Sequence, residues 1–80
     1  MTPADIEALI QSALAPDVLD VRSDDDVHFD ALVVCAEFVG KRPVARHQMI
    51  YAALGDHMRA DIHALSITAL TPDEHAGKAT

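Results

Sequence analysis

The sequence is poor in several residue types that small domains use to hold their folds together. Its 80 residues include one cysteine, three glycines, three aromatic side chains and no tryptophan. One cysteine cannot form a disulfide within the chain, and it cannot hold a structural metal by itself. Half of the residues are apolar, so the chain has room for one small domain with a mainly aliphatic core.

Basic residues and long apolar runs are also scarce. Thirteen acidic residues against six basic ones give a formal charge of -7, which argues against a general affinity for nucleic acid phosphates. Lys41, Arg42 and Arg46 nevertheless lie within six positions of one another, so we keep a local basic patch as an alternative. No apolar run approaches the ~20 residues of a membrane span. The N-terminus also lacks the pattern of a secretory signal, and we therefore predict a cytoplasmic protein without a membrane segment.

The first third of the chain predicts a helix followed by a hairpin. Thr2 is suited to cap a helix whose apolar stripe runs from Ile6 to Leu14, and Pro16 stops this helix near Ala15. Alternating residues over 18–22 and 28–35 predict two strands, joined by a polar loop over residues 23–26. Because this loop contains three consecutive aspartates that repel one another, we expect its tip to be solvated and mobile.

The remainder predicts a second helix, a further helical turn and a third strand. The second helix begins near Pro43, ends near Gly55, and has a predicted apolar face made of Val44, His47, Ile50, Tyr51 and Leu54. One more turn covers residues 56–60, and a strand follows from residue 62 or 63 to about 70. We expect residues 1–4 and 73–80 to be flexible.

This order of elements predicts a two-layer α+β sandwich with the arrangement αββααβ. The third strand follows a helical crossover long enough for parallel pairing with a hairpin strand, so the three-stranded sheet is mixed. Helices then cover one face of the sheet, and residues 1–80 form one domain.

Sequence patterns of catalysis are absent. The serines have no Gly-x-Ser-x-Gly context, and the Gly40-Lys41 pair lacks the preceding glycine loop of a phosphate-binding motif. No histidine pair has the spacing of a helical zinc site with a glutamate between. We therefore predict that the chain is not an enzyme.

Histidines are the residues on which a binding function most depends. His63 precedes the alternating residues of the third strand, on the same face as Leu65 and Ile67. It is either a packed residue that closes the end of the sheet or a metal ligand that presents one ring nitrogen at the rim. His28 borders the acidic loop and is either an exposed strand residue or a second ligand. Cys35 is expected to pack as a small hydrophobe.

Five short segments of the chain together form a recognisable pattern: His28-Phe29, Phe38-Val39-Gly40, Arg46-His47-Gln48-Met49-Ile50-Tyr51, His63-Ala64-Leu65 and Thr71-Pro72. In their order and spacing they resemble the BolA family, and the short hairpin loop with the Thr-Pro-x-Glu ending is closer to its IbaG (YrbA) branch. The resemblance covers nearly the whole chain. It implies a fold like a type II KH domain, in agreement with the predicted elements.

The resemblance also implies a partner and a cofactor. BolA-like proteins pair with monothiol glutaredoxins and share a bridged [2Fe-2S] cluster, so the histidine at His63 is expected to be a cluster ligand. Imidazole replaces thiolate on one iron in Rieske centres, which makes such ligation chemically reasonable. One thiolate from the glutaredoxin and one from glutathione leave two positions for this chain, and without that partner no cofactor is expected.

The hairpin loop departs from the family pattern, in which it carries a His or Cys ligand. Here the loop has no cysteine, and its histidine is His28 of the His-Phe motif, so three alternatives stay open. His28 serves as the second ligand, an aspartate serves, or the cluster is held more weakly.

Two other functions stay open for the chain. A second function is DNA-binding transcriptional regulation through Lys41, Arg42 and Arg46, and a third is that of a metal-free adaptor. The free chain is expected to be a monomer or a weak homodimer.

Overall fold

The computed structural model describes residues 1–62 and 64–77 as two layers, with helices against a mixed sheet. The elements in chain order are α1 (Pro3–Ala13), β1 (Val18–Arg22), β2 (His28–Val34), a 3₁₀ turn (Ala36–Phe38), α2 (Pro43–Leu54), α3 (His57–Ala60), β3 (Ala64–Leu70) and α4 (Pro72–His75). The predicted α+β class and the αββααβ order are confirmed, and α4 is added at the C-terminal end.

Helix α1 is fixed at its first turn by reciprocal capping bonds. The Thr2 hydroxyl accepts the Asp5 amide at 3.3 Å, and the Asp5 carboxylate accepts the Thr2 amide at 2.9 Å. Residues 1–4, which we expected to be flexible, thus include the helix cap and its first two helical residues. The helix ends at Ala13 rather than near Ala15, because Pro16 disfavours a helical conformation at the residue before it and Leu14 is extended.

The sheet is mixed, as predicted, and the hairpin strand that pairs with β3 is β2, which lies between the other two strands. Strand β1 pairs antiparallel with β2, and β3 pairs parallel with it. Phe29, Ala31 and Val33 of β2 are buried against the helices, while His28 and Asp30 on the other face are exposed. The alternation in the sequence therefore predicted correctly which face of β2 belongs to the core, and β2 ends one residue before the predicted limit.

The buried face of α2 differs from the predicted one. Arg46, Ile50 and Leu54 are buried at four-residue spacing, so two of the five predicted apolar positions are confirmed. Val44 is 69% exposed and Tyr51 is 41% exposed. The prediction was wrong because it left out an arginine at a core position, and this rotated the predicted stripe around the helix axis.

The C-terminal segment contains a short helix, α4, that the sequence analysis did not predict. Thr71 caps α4 through its hydroxyl, which accepts the Glu74 amide at 3.1 Å, and Glu74 in turn accepts the Thr71 amide at 2.9 Å. This reciprocal pair has the same chemistry as the cap of α1 and orders residues 72–75 as a helical turn. Residues 78–80 lie outside the described part of the chain.

Candidate functional site

The hairpin loop, defined here as residues 23–28, is cross-linked by its own side chains. The Ser23 hydroxyl donates to the His28 carbonyl oxygen at 2.6 Å and accepts the Asp26 amide at 2.9 Å. Asp26 has φ +57°, a left-handed conformation that aspartate tolerates better than most residues. The loop is exposed to solvent, as predicted. These bonds also give it a defined shape, which was not expected from the repulsion among its three aspartates.

Asp25 is the centre of this loop. Its Oδ1 accepts the amides of Val27 and His28, each at 2.9 Å, and its Oδ2 lies 2.9 Å from His28 Nδ1. The hydrogen bond from the His28 amide, followed by those from the His28 ring and the Val27 amide, holds the pKa of Asp25 far below its usual range. Asp25 is therefore a carboxylate at neutral pH and can only accept hydrogen bonds.

The ring of His28 lies beside a shallow pocket on the sheet face that the helices leave uncovered. The pocket has a volume of about 300 Å³ and is lined by Arg22, Ser23, Asp24, Asp25, His28 and Asp30. The His28 side chain is 70% exposed, so a partner can reach the ring directly. The surroundings are rich in carboxylates, which favours a neutral or cationic group over an anionic one.

His63 lies outside the described residues, and the structure bears on it only through its chain neighbours. Ile62 is buried, whereas Ala64 is exposed and pairs directly with His28 in the parallel register of β2 and β3. The Ala64 amide donates to the Val27 carbonyl oxygen at 3.3 Å. The residue that follows His63 is thus attached to the end of the hairpin loop.

The remaining potential ligands do not assemble into a complete metal site. Within residues 1–62 and 64–77, no three His, Cys, Asp or Glu side chains are grouped so that they could hold a metal ion. Cys35 is buried, as expected, and burial raises the pKa of its thiol, so the thiol stays protonated. A metal centre that uses His28 therefore needs further ligands from His63 or from another molecule.

The basic segment, residues 41–46, does not present its three bases to a common surface. Arg46 Nε donates to the Lys41 carbonyl oxygen at 2.8 Å, and Nη1 donates to the Ala69 carbonyl oxygen at 3.0 Å. The same guanidinium pairs with both Glu74 carboxylate oxygens, at 2.7 and 3.4 Å, and lies over the ring of Phe38. Lys41 and Arg42 are exposed, so two of the three predicted bases can meet a phosphate.

Asp25 and Glu74 are the two important residues that sequence reasoning missed. Asp25 stands two residues before Val27, the spacing at which an aspartate in a turn commonly bonds a backbone amide. Glu74 stands three residues after Thr71, the spacing of a capping box, and this signal was present in the Thr-Pro-x-Glu ending. Its pairing with Arg46 joins distant parts of the sequence, so no local pattern indicated it.

Comparison with known protein families shows to which family this chain belongs. A family model described as BolA-like protein matches residues 10–74. The chain belongs to the BolA-like family. A crystal structure of a bol-like protein from Babesia bovis superimposes on this BolA-like chain with a TM-score of 0.88, at 28% identity, and covers 100% of this chain and 95% of its own.

Two curated relatives extend this assignment. BolA-like protein 1 of Pongo abelii is 36% identical over 78 residues, which covers 86% of this chain and 57% of that protein. The chain thus spans a little over half the length of that relative. The DNA-binding transcriptional regulator BolA of Haemophilus influenzae is 33% identical over 78 residues and is covered over 76% of its length. No helix in the described part of this BolA-like chain is both long and apolar enough to cross a membrane.

Proposed function

We propose that this BolA-like chain is a non-enzymatic protein that pairs with a monothiol glutaredoxin and shares a bridged [2Fe-2S] cluster, in iron–sulfur cluster trafficking or iron regulation. His63 is one ligand from this chain, and His28 is the other. The observation that supports this is the register of β2 with β3. It joins Ala64, the neighbour of His63, to His28 at an exposed end of the sheet.

The donor chemistry of the loop end fits such a cluster. Imidazole nitrogen is an established replacement for thiolate in [2Fe-2S] centres, and His28 presents an exposed imidazole. Cys35 is buried as a protonated thiol and is a poor competitor for iron. When bound, the cluster would supply electron-transfer and iron-donor chemistry that the protein side chains lack. The chain itself contributes two ligands and a surface for the partner.

The proposal is tested by titrating cluster-loaded monothiol glutaredoxin with this protein while visible absorption and circular dichroism are followed. Wild type is expected to convert the glutaredoxin homodimer into a heterodimer with a distinct spectrum. His63→Ala is expected to abolish this conversion, and His28→Ala to weaken it or change the spectrum. His75→Ala is the matched control, because His75 is an exposed histidine in α4 and has no assigned role.

The outcomes separate the proposed function from the adaptor hypothesis. A glutaredoxin complex that forms equally well with His63→Ala, without a new cluster spectrum, would contradict the proposal and favour a metal-free adaptor. A heterodimer whose formation depends on His63 but not on His28 would contradict only the assignment of His28 as the loop ligand.

Localisation in the cytoplasm stays a prediction.

DNA binding is the second candidate function, because the Haemophilus influenzae relative is named a DNA-binding transcriptional regulator. On this chain the site would use Lys41 and Arg42 at the start of α2, where exposed bases and backbone amides can meet a phosphate. The charge of -7 opposes such binding at a distance. The salt dependence of DNA affinity distinguishes this function from cluster sharing.

A further inference from the structure

We propose that Asp25 is a positioning residue that fixes the His28 ring in one tautomer, with Nε2 directed away from the loop as the atom for iron. This inference rests on the proposed function and deepens it, because it explains how a short loop without a cysteine supplies its ligand. Its central claim about the ring concerns the free protein, and it can be tested without any cluster.

The first step is that the carboxylate of Asp25 is itself fixed in position. Oδ1 accepts the two amides of Val27 and His28, and the Ser23 hydroxyl ties the other side of the loop to the His28 carbonyl oxygen at 2.6 Å. The backbone of His28 is thus held at both its N–H and its C=O by loop side chains. Oδ2 is then directed at the ring, 2.9 Å from Nδ1.

The second step concerns the proton on the ring. An ionised carboxylate accepts hydrogen bonds and cannot donate them, so the hydrogen of this contact must sit on Nδ1. A neutral imidazole protonated at Nδ1 carries its lone pair on Nε2. Metal-binding histidines are commonly oriented in this way, with a carboxylate on one ring nitrogen and the metal on the other. Asp25 and His28 form such a pair before any metal arrives.

The third step selects among the ligands that the sequence left open. Asp25 already accepts three hydrogen bonds, so iron bound to this carboxylate would compete with the bonds that hold the loop. Asp24 and Asp30 line the same pocket as carboxylates, beside Arg22. A neutral imidazole with its lone pair on Nε2 can bind iron while the hydrogen bonds of Asp25 all stay in place. The hydrogen bonds of the loop therefore favour His28 over Asp25 as the loop ligand.

The decisive variant is Asp25→Asn, which keeps the shape of the side chain but changes its hydrogen-bonding capacity. Its carbonyl oxygen can still accept the two backbone amides, while its NH₂ group faces the ring and donates to Nδ1. The proton of His28 then moves to Nε2 and blocks the ligand atom. Asp26→Asn is the matched control, because it makes the same charge change in the same loop and asparagine tolerates a φ of +57°.

The first readout is the tautomer of His28 in the free protein, measured by ¹⁵N NMR of the imidazole at a pH where the ring is neutral. Wild type and Asp26→Asn are expected to carry the proton on Nδ1, and Asp25→Asn on Nε2. The second readout is the affinity for cluster-loaded glutaredoxin. Asp25→Asn is expected to weaken heterodimer formation about 10–100-fold, the usual effect of losing a carboxylate that orients a ligand, with Asp26→Asn close to wild type.

The two readouts separate failure of this inference from failure of the proposed function. A wild-type ring protonated on Nε2 overturns the inference whatever the glutaredoxin does, and this measurement does not depend on any variant folding. A heterodimer that forms equally well with Asp25→Asn, although its tautomer has changed, also overturns it. A wild-type Nδ1 proton without any heterodimer overturns the proposed function and the ligand role of His28, while the tautomer itself stands.

Discussion

The hairpin loop and the basic segment both bring charged side chains to the ends of strands, but they use them in opposite ways. In the loop, Asp25 bonds one nitrogen of His28, and the imidazole remains 70% exposed. In the basic segment, the guanidinium of Arg46 is directed into the protein and bonds two backbone carbonyl oxygens and Glu74. The Arg46 side chain is 10% exposed.

The difference shows that the type of a residue does not determine whether it is available to a ligand. Both histidine and arginine suggested binding sites in the sequence, yet the fold consumes four N–H donors of Arg46 and occupies one ring nitrogen of His28. Buried polar groups must be hydrogen-bonded within the protein, so a buried base has few donors left for a partner. The loop thus offers an accessible atom, while Arg46 serves the fold.

The largest expected effect is on stability, from Arg46→Met. The substitution keeps an unbranched side chain over Phe38 but leaves the carbonyl oxygens of Lys41 and Ala69 without their donor and breaks the pair with Glu74. We expect a loss of about 3 kcal/mol in the free energy of unfolding, in the range for a disrupted buried polar network. Urea denaturation monitored by circular dichroism measures it.

Arg42→Met is the control for this experiment. It removes the same kind of side chain four positions earlier, where the side chain is exposed and makes no hydrogen bond with the described residues. A change within about 0.5 kcal/mol is expected for such a surface position. An equal loss of unfolding free energy in the two variants would contradict the structural role of Arg46. Arg46 would then again be a candidate for phosphate binding.

The second expected effect is on the pH dependence of stability, through Glu74. The hydrogen bond from Arg46, followed by the bond from the Thr71 amide, lowers the pKa of Glu74 from its usual value. A carboxyl whose pKa is lower in the folded state stabilises the fold above its unfolded pKa, about 4.3, and loses this contribution as the pH falls through the folded pKa. Wild type is therefore expected to lose stability on acidification below that range.

Glu74→Gln tests this assignment when unfolding is measured at neutral pH and at mildly acidic pH. The variant is expected to be less stable at neutral pH and to lose less on acidification, because the glutamine side chain does not titrate. Asp25 and Asp5 also have lowered pKa values, so part of the acid sensitivity remains. Asp73→Asn, an exposed neighbour in α4, is expected to keep the wild-type pH profile, and an equal flattening there would refute the role of Glu74.

The sequence was sufficient for the fold wherever the relevant signals are local. The cap at Thr2 and the alternation of Phe29, Ala31 and Val33 follow from neighbouring residues, and the structure confirms both. The buried face of α2 depends on Arg46 meeting Glu74 across 28 positions, so it could not be derived from local spacing. The capping box of α4 is a local signal in the Thr-Pro-x-Glu ending that the sequence analysis did not use. Within the loop, His28 was visible as a residue type, whereas its orientation depends on Asp25 and Ser23 closing around it.

The smallest expected effect is on the salt dependence of DNA binding. Of the six bases, Arg46 is directed inward, and the basic segment offers Lys41 and Arg42 alone to a phosphate. Each phosphate contact contributes about 0.9 to the slope of log K against log salt concentration, so this segment accounts for a slope of about 2 at most. Fluorescence anisotropy with a labelled duplex at several salt concentrations measures the slope.

The paired variant Lys41→Gln with Arg42→Gln should therefore reduce the magnitude of this slope by about 2 and leave cluster transfer intact. His28→Ala, at the other candidate site, should leave the slope unchanged, because it removes neither Lys41 nor Arg42. A steep slope that survives the paired variant would place DNA on another surface and contradict the use of this segment. If the slope instead changes with His28→Ala, then the loop end and the DNA site overlap, and the two functions compete for one surface.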